Sequence, residues 1–486
     1  MDEQAVLIVG AGPVGLSMAL GLAQRGQRAL VIEKNAQLNR HSKAVVVLPR
    51  TLQIFQEWGL EPVFRGRAQW LDRLRVHDPE QRKLLEVDFR VLDDVSAVAA
   101  VAILPQDETE RILYDACEAS ALIEVRLGHE LVGLEQHAEY VRAEVVADGQ
   151  SYALEAPHLC ACDGAHSRVR ELLGCELEGK TYDDYAILAD VLVDDERDSK
   201  SWPIVDLSAR GFHFVVRFAD KRWRLVLAVP GRSEKTEPPN ELIQTEIERL
   251  LGPGPIEVLW KSSFHLHMRS VAHFRNQRVL LLGDAAHLTS PAGGQGMNAG
   301  IQDAHNLAWK LAAIARGANA ETYLDSYDRE RHDAIRHNVD VFTDRLTRYG
   351  IDAPPKLRRA AFELVHLANQ LALTKRRIVQ RISMLDLRYR PSPLIESSGG
   401  ELLEDLLLTD GRRLRQAIGH DGAVLQVERS KIRFAGQQVE TANLDHHSKY
   451  LVVRPDYVIA YAGSNRRVAE RTASTLDIGW SERRSG

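Results

Sequence analysis

Three short stretches of this chain combine residue types and spacings that could do chemistry. In "VGAGPVGLS", Gly10, Gly12 and Gly15 form G-x-G-x-x-G around Pro13 and Val14, and Glu33 followed by Lys34 lies further on. In "CDGAHSRVREL", Asp163-Gly164 precedes Ser167 and Arg168. In "GDAAHLTSPAGGQGMNAG", Gly283-Asp284 is followed by Pro291, Gly294, Gly296, Met297 and Asn298. Glycines before a helix let backbone amides approach a ligand closely, and the positive helix end favours an anion. A carboxylate beyond such a turn can accept hydrogen bonds from sugar hydroxyls. The chemistry these residues suit is the holding of a large phosphorylated cofactor.

Such residues need elements to carry them. "AVLIVGAGPVGLSMALGLAQRGQRALVIEK" reads as strand, turn, helix and strand, with Val6 to Val9 as a buried parallel strand and Gly26 where the helix should stop. Gly10 permits the turn, Gly12 admits a pyrophosphate to the backbone, and Gly15 lets helix and strand pack. Glu33, at the tip of the second strand, suits ribose hydroxyls and would repel a 2′-phosphate, so FAD or NAD fits there and NADP does not. Asp163-Gly164 also follows an apolar run, and by itself it reads equally as a capped helix start. Val279 to Leu282 is a third buried strand ending at Gly283-Asp284. From Asn298 a helix is predicted, with Ile301, Ala304, Ala308, Leu311, Ala312 and Ala315 on one face and Gly317 as its stop.

Taken in order, the three motifs resemble the FAD-dependent aromatic hydroxylases with the p-hydroxybenzoate hydroxylase fold. The likeness is nearest to the branch of phenol, hydroxyphenylpropionate and polyketide-tailoring hydroxylases. "FHLHMRSVAHFRNQRVLLLGDAAHLTSPAGGQGMNAGIQDAHNLAWKLA", "LPRTLQIFQEWGL" and "LPQDETERIL" carry it. The resemblance implies an α/β protein: a discontinuous Rossmann-like FAD-binding domain, an inserted antiparallel-sheet substrate domain, and a small thioredoxin-like C-terminal domain. It implies that Gly10, Gly12, Pro13, Val14, Gly15, Glu33 and Lys34 hold the ADP half of FAD. Gln106 is expected on the ribityl or flavin side, Asp163, Gly164 and Arg168 toward FAD and the nicotinamide cofactor, and Gly283-Asp284 at the ribitol. Pro291, Gly294, Gly296, Met297 and Asn298 are expected against the flavin ring, their helix amides facing the edge that becomes negative on reduction. Arg50 of the "LPRT" stretch is counted among the cofactor residues. Lys43 stands where relatives carry a phosphate-binding arginine; it keeps the charge but not the bidentate fork.

The same resemblance implies the segments: FAD-binding parts at 1–75, 101–175 and 271–345, substrate-domain parts at 76–100 and 176–270, a helical connector at 346–396, and the C-terminal domain at 397–486. Trp202, Phe212, His213, Phe214 and Trp223 in the β-rich middle could wall a pocket or simply be core. His265, His267 and Arg269 read as one strand face rather than metal ligands. No catalytic base is identified, although Tyr182 and Tyr185 are weighed for it. The implied activity is NAD(P)H-dependent hydroxylation of an electron-rich aromatic small molecule by O₂ through a flavin C4a-hydroperoxide. Epoxidation or Baeyer–Villiger chemistry, a flavin reductase or oxidase, and a non-catalytic flavin-binding partner are the alternatives.

Composition narrows the setting. With 62 Lys+Arg against 68 Asp+Glu the net charge is −6, too mild for nucleic acid or an anionic membrane. Val6 to Ala23 carries no charge, but its glycines and proline belong to the turn and helix, so no transmembrane segment is expected. All four cysteines lie by Cys175, so the C-terminal domain has no dithiol chemistry, and the C-x-C pair Cys160/Cys162 fits plain thiols in a reducing cytoplasm. A monomer or homodimer is expected.

Overall fold

The apolar run Val6–Val9 has no polar side chain to give to solvent, and it lies inside a six-stranded sheet. The computed structural model describes residues 5–38, 44–80, 83–194, 203–206, 212–219, 221–229, 237–290, 293–428, 431–435, 437–441 and 448–479. The sheet order is Arg275–Asn276, Val279–Leu281, Leu159–Ala161, Val6–Val9, Ala29–Glu33, Ile123–Leu127. Every pair is parallel except the first, and burial on both faces explains the continuous apolar sequence. Val9, Ala161 and Leu281 lie in one register across three neighbouring strands. The three glycine-acid motifs therefore leave the sheet side by side at its carboxyl edge, where ligands of open parallel sheets bind.

An eight-stranded sheet stands beside this one. Its order is His287–Leu288, Ile256–Ser270, Glu178–Val193, Arg222–Val229, Phe212–Ala219, Ile204–Asp206, Arg73–His77, Lys83–Asp88. The two longest strands pair antiparallel along almost their whole length. The edge strand His287–Leu288 begins just after the Gly283 turn, so one stretch of chain joins the two sheets. The helix Asn240–Leu251 buries Ile243, Ile247 and Leu250. A meander of Glu130–Gln136, Val141–Ala147 and Gln150–Ala156 completes this half.

The helix Gly296–Ala315 starts two residues earlier than the apolar periodicity predicts, with Gln295 as its N-cap. It ends as expected: Gly317 has φ +101° and its amide bonds Ile314. It packs on the helix Pro13–Ala23 through small residues, and a Cβ on Gly21 would lie 2.8 Å from the Ala308 methyl. Beyond residue 341 come the helices Pro355–Ala368 and Ala372–Ile382. The C-terminal sheet, in the order Gln437–Glu440, Lys431–Phe434, Ala423–Glu428, Tyr450–Val453, Ile459–Gly463, pairs antiparallel throughout and carries the helix Arg466–Thr475. Among the described residues no helix is long and apolar enough to cross a membrane.

Candidate functional site

The first turn is built by exclusion. Gly10 has φ +105°, and a Cβ there would lie 2.4 Å from the Cys162 carbonyl oxygen. A Cβ on Gly15 would lie 1.9 Å from the Gly10 carbonyl oxygen, whereas one on Gly12 would meet nothing within 4 Å. The turn is thus closed on the protein side and open only where a pyrophosphate would approach. Pro13 opens the helix with the dihedral a first turn requires, and Gly12 caps it without a side-chain bond, so the helix end faces outward.

Glu33 is fixed to this turn. One carboxylate oxygen accepts the Ala11 amide at 3.0 Å, the other the Asn35 amide at 3.0 Å. Asn35 Nδ2 donates to the second oxygen as well, so of a carboxylate's about four acceptor positions one, on the oxygen facing Ala11, remains for a sugar hydroxyl. Lys34 beside it is exposed.

Ser167 caps the next helix by accepting the Arg170 amide at 3.0 Å, and Asp163 braces that cap, accepting Ser167 Oγ at 2.5 Å and the Val169 amide at 3.0 Å. The capped-start reading is therefore the geometry this side chain adopts, and burial raises its pKa. Gly164 has φ +80° over open space. Arg170, which the sequence did not single out, donates to Ala165 O at 2.7 Å and Ala285 O at 3.1 Å, stapling the second motif to the third.

The third motif is held from behind. Gly283 has φ +55°, its amide bonds Asp303 Oδ2 at 3.0 Å, and Val14 packs against both it and Gly300. Asp284 next to it is exposed, on the same side as the other two turns. At the helix start, Asn298 is fully engaged by the protein: Oδ1 accepts the Leu48 amide at 2.9 Å, and Nδ2 donates to Val46 O at 3.0 Å and Gly294 O at 2.8 Å. That side chain ties the helix end to the strand Val46–Val47. Among the described residues no acceptor takes the amides of Gly296, Met297 or Asn298. Gln106 bridges Ala44 N–H at 3.3 Å and Glu110 at 2.7 Å, and burial pushes Glu110 up to about 7.

The other residues singled out in the sequence take varied places. Arg50 is an interior residue, set among Gln53, His305, Glu57 and the Asp456 carbonyl, because its helix Pro49–Glu57 turns it toward the C-terminal domain. Arg168 is exposed and pairs with Glu171 at 2.9 Å, since it lies on the outer face of its short helix. His213 bonds Glu246 at 2.8 Å and Trp223 is fully buried. Tyr182 donates to Asp344 at 2.7 Å, where Lys180 and Arg348 also converge. Burial raises Asp344, but hydrogen bonds from Lys180 and Tyr182 outweigh it and hold this acid low. His265, His267 and Arg269 lie in the strand Ile256–Ser270, with His267 bonded to Thr181. Lys43, Pro291 and Trp202, and the side chains of Tyr185 and Phe212, lie outside the described residues.

Asp303 is another residue that sequence reasoning missed. It is fully buried and takes Gly283 N–H, His287 at 2.8 Å and Arg331 at 2.6 Å. Burial would raise its pKa, yet Arg331 and His287 outweigh that and hold it low. An aspartate amid the alanines and leucines of "GIQDAHNLAWKLA" was the available signal.

Comparison with known proteins agrees with this geometry. A family model described as "FAD binding domain" matches residues 3–341. Rifampicin monooxygenase from Streptomyces venezuelae is 30% identical over 95% of this chain and 96% of that protein. 6-Methylpretetramide 4-monooxygenase from Streptomyces rimosus is 33% identical over 82% of this chain and 72% of that protein. Among solved structures, CabE, an aromatic hydroxylase from angucycline biosynthesis, superposes with TM-score 0.79 at 26% identity, covering 99% of this chain and all (100%) of that one. With its sheet, its turns and its relatives in agreement, the chain belongs to the FAD-binding-domain family of FAD-dependent aromatic monooxygenases.

Proposed function

We propose that this protein inserts one oxygen atom of O₂ into an electron-rich aromatic substrate, phenolic or polycyclic, with FAD as cofactor and NAD(P)H as reductant. The observation that carries the residue assignment is the alignment of three strand ends, each followed by a tight turn and each opening toward the same edge. Bound there, FAD supplies the activation of O₂. The chain's own residues do the rest. Gly10 to Gly15 and the helix they open bind the pyrophosphate, and Glu33 takes a ribose hydroxyl. Asp284 accepts from the ribitol. The amides of Gly296, Met297 and Asn298 would present positive dipole ends to the flavin as it gains charge on reduction. Because they are fixed in place by Asn298 and Gly294, they stabilise that charge without reorganising.

The eight-stranded sheet and the helical segment from Val341 onward form the substrate side. Gly293 lies against Phe342 and Leu346, and Asp344 is anchored to Lys180 and Tyr182 of the sheet. With FAD bound, these contacts would help to keep water out of the substrate side. The buried thiols of Cys160 and Cys162 fit a reducing cytoplasm. The test is a screen of phenolic and polycyclic compounds for stimulated NAD(P)H oxidation, with mass spectrometry of the product. A compound that stimulates consumption and gains one oxygen atom supports the reading. Substrate-independent consumption with only H₂O₂ formed across the panel would overturn it.

A further inference from the structure

Glu330 and Arg331 are neighbours on the helix Ala320–Ala334, both fully buried, and they reach in different directions. Arg331 reaches toward the cofactor edge: Nε donates to Asp303 at 2.6 Å and Nη2 to the Ala299 carbonyl at 3.1 Å. Glu330 reaches into the C-terminal domain, where it accepts both guanidinium ends of Arg454, at 2.7 and 2.9 Å. Arg454 in turn grips Asp456 through Nε at 3.0 Å, and it stacks 5.1 Å above the Trp309 ring. Arg454 and Asp456 belong to the "VRPDYVIAY" stretch, which the cofactor site itself does not use.

The two ends are tied together a second time. Tyr389 Oη accepts Arg331 Nη1 at 3.0 Å and Asn306 Nδ2 at 3.4 Å, and Asn306 also lies 2.9 Å from Glu330 and 3.3 Å from Asp456. Lys310 closes the cluster on Glu330 at 2.9 Å. Three cations (Lys310, Arg331, Arg454) thus face three anions (Asp303, Glu330, Asp456), none more than 2% exposed. In such a cluster no member can move without leaving a buried charge uncompensated, so the geometry is all or none.

We propose that the C-terminal domain is a positioning element for the cofactor: Arg454 and Asp456 fix Glu330, and through Arg331, Tyr389 and Asp303 they fix the Gly283 amide and the Asp284 turn. The inference rests on the reading that this turn faces FAD. Asp303 is the last link. It holds the Gly283 amide only while Arg331 and His287 neutralise it, and Arg331 is aimed by Tyr389. The domain lacks any cysteine pair, and this cluster gives it a task that needs none.

The experiment uses the full-length protein stripped of FAD and titrated back with FAD. Dissociation constant and bound-flavin absorption spectrum are read well below the melting temperature of each apoprotein. Tyr389→Phe, which keeps the ring and all the ion pairs, and Arg454→Lys should each weaken FAD by about five- to tenfold and shift the visible flavin bands. Glu470→Ala, at an exposed position of the helix Arg466–Thr475, should change neither. A merely structural role predicts lower apoprotein melting with wild-type FAD affinity and spectrum, and that result would overturn the proposal. Asp303→Asn separates the two levels. If it weakens FAD while Tyr389→Phe and Arg454→Lys do not, the coupling is wrong and the turn assignment stands. If even Asp303→Asn leaves FAD binding unchanged, the assignment of the Gly283-Asp284 turn is wrong as well.

Discussion

Single atoms decide how much freedom the cofactor edge has. Gly15 tolerates no side chain, because its Cβ would sit inside the Gly10 carbonyl. Asp284 is the opposite case: its side chain is exposed at the turn, and its carbonyl accepts from Arg170 at 3.5 Å. Asp284→Ala should cost about 1–3 kcal/mol of FAD binding, from ribitol hydroxyls left without an acceptor. Equilibrium titration with FAD checks it. Wild-type affinity in the alanine variant would remove Asp284 from the site.

At the scale of elements, the critical contact is where the helices Pro13–Ala23 and Gly296–Ala315 cross. Val14 is wedged between Gly283 and Gly300; a Cβ on Gly300 would come within 2.6 Å of the valine methyl and 3.1 Å of Gly283 Cα. Gly300→Ala should lower stability by about 1–3 kcal/mol through overpacking and push the Gly283 turn off its place. Val14→Ala in the same chain should restore part of that loss, because it removes the nearer obstacle. Urea melts of the two single variants and the double variant measure the coupling. Strict additivity would show that the valine is not what the new methyl strikes.

At the scale of the whole molecule, the buried charge cluster makes acid a tool for prising the domains apart. Burial alone would raise the Glu330 pKa, but Arg454 and Lys310 outweigh it and hold it down at about 2. A carboxylate depressed in the fold stabilises fully above its ordinary value of 4.5 and loses that contribution as pH falls from there toward 2. Melting temperature should drop across that window in wild type. In Glu330→Gln it should start lower at pH 7 and slope less; parallel curves would refute the role. Control of reduction is a second global property. The loop at Gly293 and Gly294 has φ +86° and +65° and lies against Val46, Phe342 and Leu346; on the proposed placement of FAD, a substrate bound beyond it would shift the ring's surroundings. Bleaching of the oxidised flavin by NAD(P)H should be at least about tenfold faster with a true substrate, roughly 1.4 kcal/mol off the barrier. Stopped-flow absorbance measures this, and equal rates with a substrate that is demonstrably hydroxylated would sink the gating idea.

The sequence by itself determined what is local. Spacings such as Gly10, Gly12 and Gly15 encode a turn whose sterics are settled within a few residues, and the apolar runs before Gly10, Asp163 and Gly283 encode buried strands. The class of cofactor followed from these. The period of "GIQDAHNLAWKLA" gave the helix, but not its first turn, because Gly296 and Met297 precede the apolar repeat. Tertiary structure decided what depends on who lies next to whom. Arg50 looked like a ligand residue and is an interior brace, because its helix faces the C-terminal domain. Asp303, Arg331, Tyr389 and Arg454 each read as an ordinary charged or aromatic residue; only the fold brings them within hydrogen-bond reach and out of water. Strand order is long-range information. Chain ends separated by more than a hundred residues meet because two strands choose the same neighbour, and no local pattern records that choice.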